Sequence, residues 1–386
     1  MSQFVPLNKT SIVLIQPTSL CNLNCRYCYV PDRKIPGIIS DSVLATIFTK
    51  ILKSPVIHDY LVVNWHAGEP LVVGIPFYKK AVALCNQNNV HQLNIKHVIQ
   101  TNAVLITEEW CTFFTETPQF EVRVSLDGPD FLHDLSRRTW RDTGTHKLVL
   151  AGIEKLKKHN IPISVICVLT ETSLNYPTEI FDFFQDLGIT SLAFNLEEIE
   201  GTHTDSSVLK TDKSEIRNKY IAFFETFFSL FWQQKAGFSV REFEAIATHL
   251  RELQKNDTYK PVCIESQDRA IVTILKNGDV STYGPELASG TSSNPRQFVI
   301  GNIMDVAYFE DIFQNQCYLD IQAKVAKGYT NCFENCRYFH FCGGGNPANK
   351  FYEHGRFDVA ETKYCQLHRQ TLTSVILNQL ELYSCH

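Results

Sequence analysis

Cys21, Cys25 and Cys28 stand in the pattern C-x3-C-x2-C inside the stretch Cys21-Asn22-Leu23-Asn24-Cys25-Arg26-Tyr27-Cys28-Tyr29. Three thiolates on one tight loop can hold a soft metal. A structural zinc takes four protein ligands, however, and so does an ordinary electron-transfer [4Fe–4S] cluster. A trio therefore leaves one metal position open to a ligand that is not protein. A second group, Cys332-x3-Cys336-x5-Cys342 followed by Cys365, supplies four thiols, enough to close a metal site completely. Four cysteines suit zinc as well as iron–sulfur, and their spacing alone does not separate the two.

The trio needs a scaffold that presents it. Ser11-Ile12-Val13-Leu14-Ile15 is an apolar, β-branched run that reads as a buried strand, so the cysteines follow that strand's C-terminal end. From there to about residue 235, β-rich runs alternate with amphipathic ones. The strands are expected at 11–17, 60–66, 94–101, 120–126, 162–169 and 190–196, and the helices at 40–53, 76–88, 107–116, 146–159, 177–187 and 214–235. Six β–α units imply parallel strands with right-handed crossovers and helices outside. They are too few to close an eight-stranded barrel, so an open, partial (β/α)6 barrel is expected over residues 1–235. Polar groups end three of its strands: Ala67-Gly68-Glu69-Pro70, Gln100-Thr101-Asn102 and Ser125-Leu126-Asp127-Gly128-Pro129. In α/β barrels that end of the strands is the face where chemistry is done. An extended carbonyl and a carboxylate there could pair with an ammonium.

Residues 236–262 are charged and helical in pattern and read as a bridge. After Cys263 the alternation stops. Ile271–Leu275, a turn at Lys276-Asn277-Gly278-Asp279 and Val280–Tyr283 read as a hairpin. The remainder is rich in turns and cysteine and ends in an amphipathic helix at about 365–382. Residues 263–386 are thus expected to form a small domain held by metal more than by an apolar core.

The bounds agree with a globular chain of two or three domains. The chain has 386 residues, 44% of them apolar and 12% aromatic, without low-complexity runs. A net charge of −5 and no basic stripe give no footprint for nucleic acid. No run is long enough for a membrane span or a signal peptide. Thirteen cysteines, an odd number without an export signal, fit a reducing cytoplasm. Cys85, Cys111, Cys167, Cys317 and Cys385 read as small buried hydrophobes or incidental surface thiols.

The trio, its placement and the strand-end motifs resemble the radical S-adenosylmethionine (SAM) superfamily. Its three-cysteine loop carries a [4Fe–4S] cluster with one iron open to SAM. The resemblance makes Cys21, Cys25 and Cys28 the ligands of that cluster. Tyr27, Gly68, Glu69, Asn102, Ser125, Asp127 and Arg137 then surround SAM. The segment with Ala67 in place of the family's first glycine takes the SAM amino group, Ser125 and Asp127 face the ribose, and Arg137, beside Arg138, meets the SAM carboxylate.

The C-terminal group resembles the SPASM module of radical SAM enzymes that modify peptides, where Cys332, Cys336, Cys342 and Cys365 would ligate one auxiliary [4Fe–4S] cluster. That module usually holds two clusters. Here Tyr283 and Asn346 stand where two ligands of the other would be, which leaves Cys263 free. The segment Cys342-Gly343-Gly344-Gly345-Asn346-Pro347-Ala348-Asn349-Lys350 resembles the maturases that build cyclophanes, in which a β-carbon is joined to an aromatic ring. Its glycines are expected to bring backbone close to the cluster sulfurs.

The resemblance implies a cytoplasmic oxidoreductase that crosslinks a ribosomal precursor peptide and is fed by a one-electron donor such as flavodoxin or ferredoxin. With only twenty residues before Cys21, the peptide leader is expected to dock on the barrel, the cap or another protein. The rival readings are formylglycine formation from Ser or Cys, thioether formation, and a non-enzymatic metal or electron carrier.

Overall fold

The computed structural model describes residues 8–256 and 259–384; Cys385 lies outside them. The first strand, β1 (Thr10–Ile15), forms where the apolar run was read, and Val13, Leu14 and Ile15 are buried. The chain then builds α1 (Asp41–Ile51), β2 (Ile57–Trp65), α2 (Ile75–Asn88), β3 (Asn94–Thr101), α3 (Glu108–Glu116), β4 (Phe120–Ser125), α4 (Asp130–Ser136), α5 (His146–Lys158), β5 (Ser164–Leu169), α6 (Pro177–Leu187), β6 (Ser191–Leu196), α7 (Ser207–Lys210) and α8 (Lys213–Gln233). Local chemistry explains the boundaries. Ser40 caps α1 by accepting from the Val43 amide, and α1 then buries Val43, Leu44, Ile47, Phe48 and Ile51 on one face.

Strands β1 to β6 pair in parallel in sequence order, as the repeated β–α pattern requires. Two additions were not legible. The segment read as a bridge contributes β7 (Ser239–Val240), a seventh strand beside β6, before α9 (Arg241–Lys255). The hairpin, β8 (Ile271–Ile274) and β9 (Asp279–Thr282), joins the barrel's own sheet because β8 pairs in parallel with β1, Val272 beside Val13. With β10 (Gly301–Asn302) the sheet has ten strands in the order β10-β9-β8-β1-β2-β3-β4-β5-β6-β7, and no break falls at the expected boundary near residue 263. The C-terminal part adds α10 (Gln316–Asn335), α11 (Phe339–Cys342), α12 (Pro347–His354), α13 (Lys363–Cys365), a π-helical turn at Gln366–Thr371, and α14 (Leu372–Ser384). The expected terminal helix therefore starts with one widened turn.

The inner face of the barrel is open. Along β4, β5 and β6 alternate residues are buried against the helices: Val122 and Val124, Val165 and Cys167, Leu192 and Phe194. Their neighbours on the other face, among them Ser125, Ile166 and Asn195, are only half-buried. A closed eight-stranded barrel fills this space with side chains; here the inward residues stay partly accessible.

Candidate active site

The cysteine trio is held by backbone more than by its own side chains. Its loop runs beside the segment after α4: the Asn24 amide donates to Arg138 O at 2.7 Å and the Arg26 amide to Ser136 O at 2.9 Å. Leu23, 1% exposed, pins the loop to the core, and Trp140 Nε1 donates to Cys21 O at 2.9 Å. Burial pushes the Cys25 thiol up to about 11, against the pull of Arg137, and pushes Cys21 up as well. Such thiols stay protonated until a metal takes the proton's place.

The second strand's end fits against this loop. Gly68 sits at φ +65°, and a Cβ there would lie 2.5 Å from Thr18 O and 2.8 Å from Leu20 O. Gly68→Ala should therefore cost about 1–3 kcal/mol from backbone strain alone and push the loop away. Reduced iron content and a lower Tm are expected; an alanine variant with full iron and unchanged Tm would contradict the close fit. Ala67 is also left-handed, at φ +71°, so Ala67→Gly should be neutral or stabilising.

The residues expected around SAM do converge behind the trio, but several are occupied with one another. Glu69, 1% exposed, accepts at Oε1 from the Leu71 amide at 3.0 Å and the Thr101 hydroxyl at 2.7 Å, and at Oε2 from the Asn102 amide at 2.8 Å. Burial still pushes its carboxyl up to about 6 against these donors. Its carboxylate ties the end of β2 to the end of β3, which leaves the backbone around Gly68 as the polar surface nearer the loop. Asn102 Nδ2 donates to Asn22 Oδ1 at 2.8 Å, linking β3 to the trio.

Asp127 faces Arg137 where the ribose was expected. Its two oxygens accept from Arg137 Nε at 2.9 Å and Nη2 at 3.1 Å, and it also accepts from the Val168 amide at 3.0 Å and the Tyr27 hydroxyl. Arg137 lies over the Tyr27 ring, whereas Arg138 turns outward to Asp134 O and Asp142. Ser125 accepts from Gln100 Nε2 at 2.9 Å on the lumen face.

The other thiol group shares one cavity. Cys332, Cys336, Cys342 and Cys365 all line it, together with Gly344, Gly345, Lys350 and Arg369. Among the described residues no three His, Cys, Asp or Glu side chains converge as a single ion requires. Four thiols on one cavity match the ligand number of a closed [4Fe–4S] cluster. Sulfur-directed donors are in place: the Thr362 amide to Cys365 Sγ at 3.3 Å, Lys350 Nζ to Cys332 Sγ at 3.4 Å and Gln370 Nε2 to Cys336 Sγ at 3.9 Å.

The glycine run serves packing as well as the cavity. Gly343, at φ +68°, lies against Pro261 O and the Cys263 amide, where a Cβ would come within 2.7 Å of each. The two positions read as lost ligands of a further cluster have other roles. Tyr283 is core, 2% exposed, and the Asn346 side chain is spent capping α12 at the Ala348 amide. Cys263 is buried near Cys342 and Glu265, a contact the spacing did not reveal.

Between the two thiol sets lies a group the sequence reading passed over. Tyr29 OH and His66 Nε2 are 2.9 Å apart, and burial lowers His66 to about 4, so its ring is neutral. Glu198, Glu200 and Glu286 gather nearby. Burial and mutual repulsion push Glu198 and Glu200 well above the carboxylate range, and burial pushes Glu286 up to about 7. Tyr352 OH donates to Glu286 O at 2.8 Å, and Asn349 donates to Glu198. The available signal was Glu197-Glu198-x-Glu200, an acidic run at the end of a barrel strand.

With this geometry in view, residues 15–184 match the family model described as the radical SAM superfamily. The chain belongs to that superfamily. As a radical SAM enzyme it uses SAM and iron–sulfur chemistry, and the two thiol sets are where the chain can hold clusters. It is 38% identical over 379 residues to the uncharacterised protein sll1766 of Synechocystis, covering 96% of this chain and 92% of that one. It is 31% identical over 198 residues to a serine-type anaerobic sulfatase-maturating enzyme of Bacteroides thetaiotaomicron, covering 50% of this chain and 47% of that protein. The match therefore spans about half of that curated relative. The fold resembles native anSMEcpe with bound AdoMet and Cp18Cys peptide, at TM-score 0.78, 22% identity, and coverage of 97% and 98%. It also resembles SuiB of Streptococcus suis bound to precursor peptide SuiA, at TM-score 0.65, 16% identity, and coverage of 94% and 77%. Among the described residues no helix is long and apolar enough to cross a membrane.

Proposed function

We propose that this radical SAM enzyme modifies a ribosomally made precursor peptide, joining a β-carbon to the ring of a nearby aromatic residue. The observation that carries the reading is a three-thiol loop and a separate four-thiol cavity in one chain, with half-buried inner faces of β4 to β6 and a carboxylate group that reaches Tyr29 beside Cys28. When bound, SAM on its open cluster supplies a hydrogen-abstracting radical, and the auxiliary cluster supplies an electron acceptor.

The chain's own residues do the rest. Asn102 and the Gly68 backbone shape the space behind the trio, and Tyr27 and Asp127 hold Arg137 beside it. The half-buried inner faces of β4 to β6 accept an extended segment. Attack of the β-carbon on the ring forms the carbon–carbon bond. Restoring aromaticity then removes one electron and one proton. Glu286, pushed up to about 7, takes that proton at its carboxylate. With barrel 1–235, bridge 236–262 and cap 263–386 joined in one sheet through β7 and β8, the peptide would lie between the barrel's inner face and the helical part of the cap.

Formylglycine formation is the second reading, favoured by the sulfatase-maturating relatives. Tyr283 and Asn346, where two cysteines of a full SPASM set would stand, weigh against it. Co-expression with a candidate precursor and mass spectrometry decides. Both products lose two hydrogens, so fragmentation is needed: a cyclophane suppresses backbone cleavage across a short window that includes an aromatic residue. A hydrazine-reactive aldehyde, or a bond to a substrate cysteine sulfur, would overturn the crosslink reading.

The base must be ionised to act, so crosslinking should rise with pH through about 7 and level off above it. Glu286→Gln should remove that dependence and cut crosslinking roughly 100-fold or more, while 5′-deoxyadenosine still forms. An unchanged pH profile would exclude Glu286.

A further inference from the structure

We propose that Lys350 is a redox-tuning residue of the auxiliary site, raising its reduction potential so that it receives an electron. The inference rests on the reading that Cys332, Cys336, Cys342 and Cys365 hold one [4Fe–4S] cluster.

Lys350 is 4% exposed, on α12. Its Nζ donates to Gly328 O at 3.1 Å and to Cys332 Sγ at 3.4 Å. Neither partner is a carboxylate. A buried ammonium without an anion beside it is costly. The four thiols lining the same cavity supply that anion once they are deprotonated on iron. A cluster with four thiolates is negative, and reduction adds one more negative charge. A charged N–H donor aimed at a ligand sulfur favours the reduced state more than the oxidised one and so raises the potential.

The lysine is built into place. Asn346 caps the helix that carries it, and Gly328 sits where a Cβ would come within 2.2 Å of Phe357 O. The other sulfur-directed donors, the Thr362 amide and the Gln370 side chain, are neutral. Arg369 lines the cavity too, but its guanidinium is 3.6 Å from Glu265. Among the described residues, Lys350 is thus the cation lining the cavity without a carboxylate contact of its own. At the trio, Arg137 is paired twice with Asp127, while Arg33 Nη1 donates to Cys25 O at 3.4 Å.

The test uses the full chain with Cys21, Cys25 and Cys28 replaced by alanine, so that only the auxiliary site is loaded. Lys350→Met and Lys350→Gln are reconstituted anaerobically, and iron content and an EPR-monitored redox titration are read for each. All three proteins should hold about four irons. The potential should be more negative in Lys350→Met, with Lys350→Gln between it and the parent. An unchanged potential at full iron would overturn the proposal. Loss of iron in both variants would also overturn it, by making Lys350 an assembly residue. A parent without iron would instead overturn the cluster reading beneath it.

Discussion

Replacing Cys21, Cys25 and Cys28 with alanine will abolish SAM cleavage and lower the iron of reconstituted protein from about eight to about four. The physical ground is the separation of the two thiol sets. The trio stands at the end of β1, and the other four cysteines line one cavity formed by α10, α11, α12 and α13. The variant should still fold, because the loop is held by Leu23 in the core and by backbone bonds to Ser136 and Arg138. Its Tm before reconstitution should therefore stay close to the parent's. Normal 5′-deoxyadenosine production under reducing conditions would remove the trio from the chemistry. Twelve irons in the parent would mean that Cys263 anchors a third cluster with ligands other than cysteine. Stoichiometric zinc would return the C-terminal site to a structural role.

The thiols were legible because cysteine spacing is a local property of the chain. The six strands and their helices were legible for the same reason: period-two and helical patterns repeat within each unit. What escaped the sequence is pairing between distant residues. The two residues of β7 are too short for any period to register, and nothing in the hairpin reveals that β8 runs beside β1. Asp127 and Arg137 both carried the right chemistry to touch SAM. Only the fold shows that they are bonded to each other, and that Arg138 is the one turned outward. Glu198 and Glu200 follow β6 and Glu286 follows β9, so the three make a group only in the folded chain. Lys350 was part of a legible motif, yet its role depends on Cys332, eighteen residues away on another helix.

Arg137→Met alone should destabilise the protein by about 3–5 kcal/mol, one of the largest losses expected from any single change near the site. The side chains of Arg137 and Asp127 are 8% and 6% exposed, so removing one leaves the other charge buried without its partner. Asp127→Leu alone should cost a similar amount, and more will follow because the Tyr27 hydroxyl and the Val168 amide lose their acceptor as well, each worth about 1–3 kcal/mol when orphaned. The double variant, Asp127→Leu with Arg137→Met, should lose clearly less than the two singles added together, since no unpaired charge remains. Denaturant unfolding of the unreconstituted protein measures all three without any contribution from metal. SAM affinity reads the second consequence. The pair joins the ends of β4 and β5 to Tyr27 on the cysteine loop, so each single variant should also bind SAM more weakly once reconstituted. If Arg137→Met lost less than 1 kcal/mol, the ion pair would not be the buried joint between barrel and loop described above. If the losses of the singles simply added, Asp127 and Arg137 would act separately, and Arg137 would be free to meet the SAM carboxylate directly.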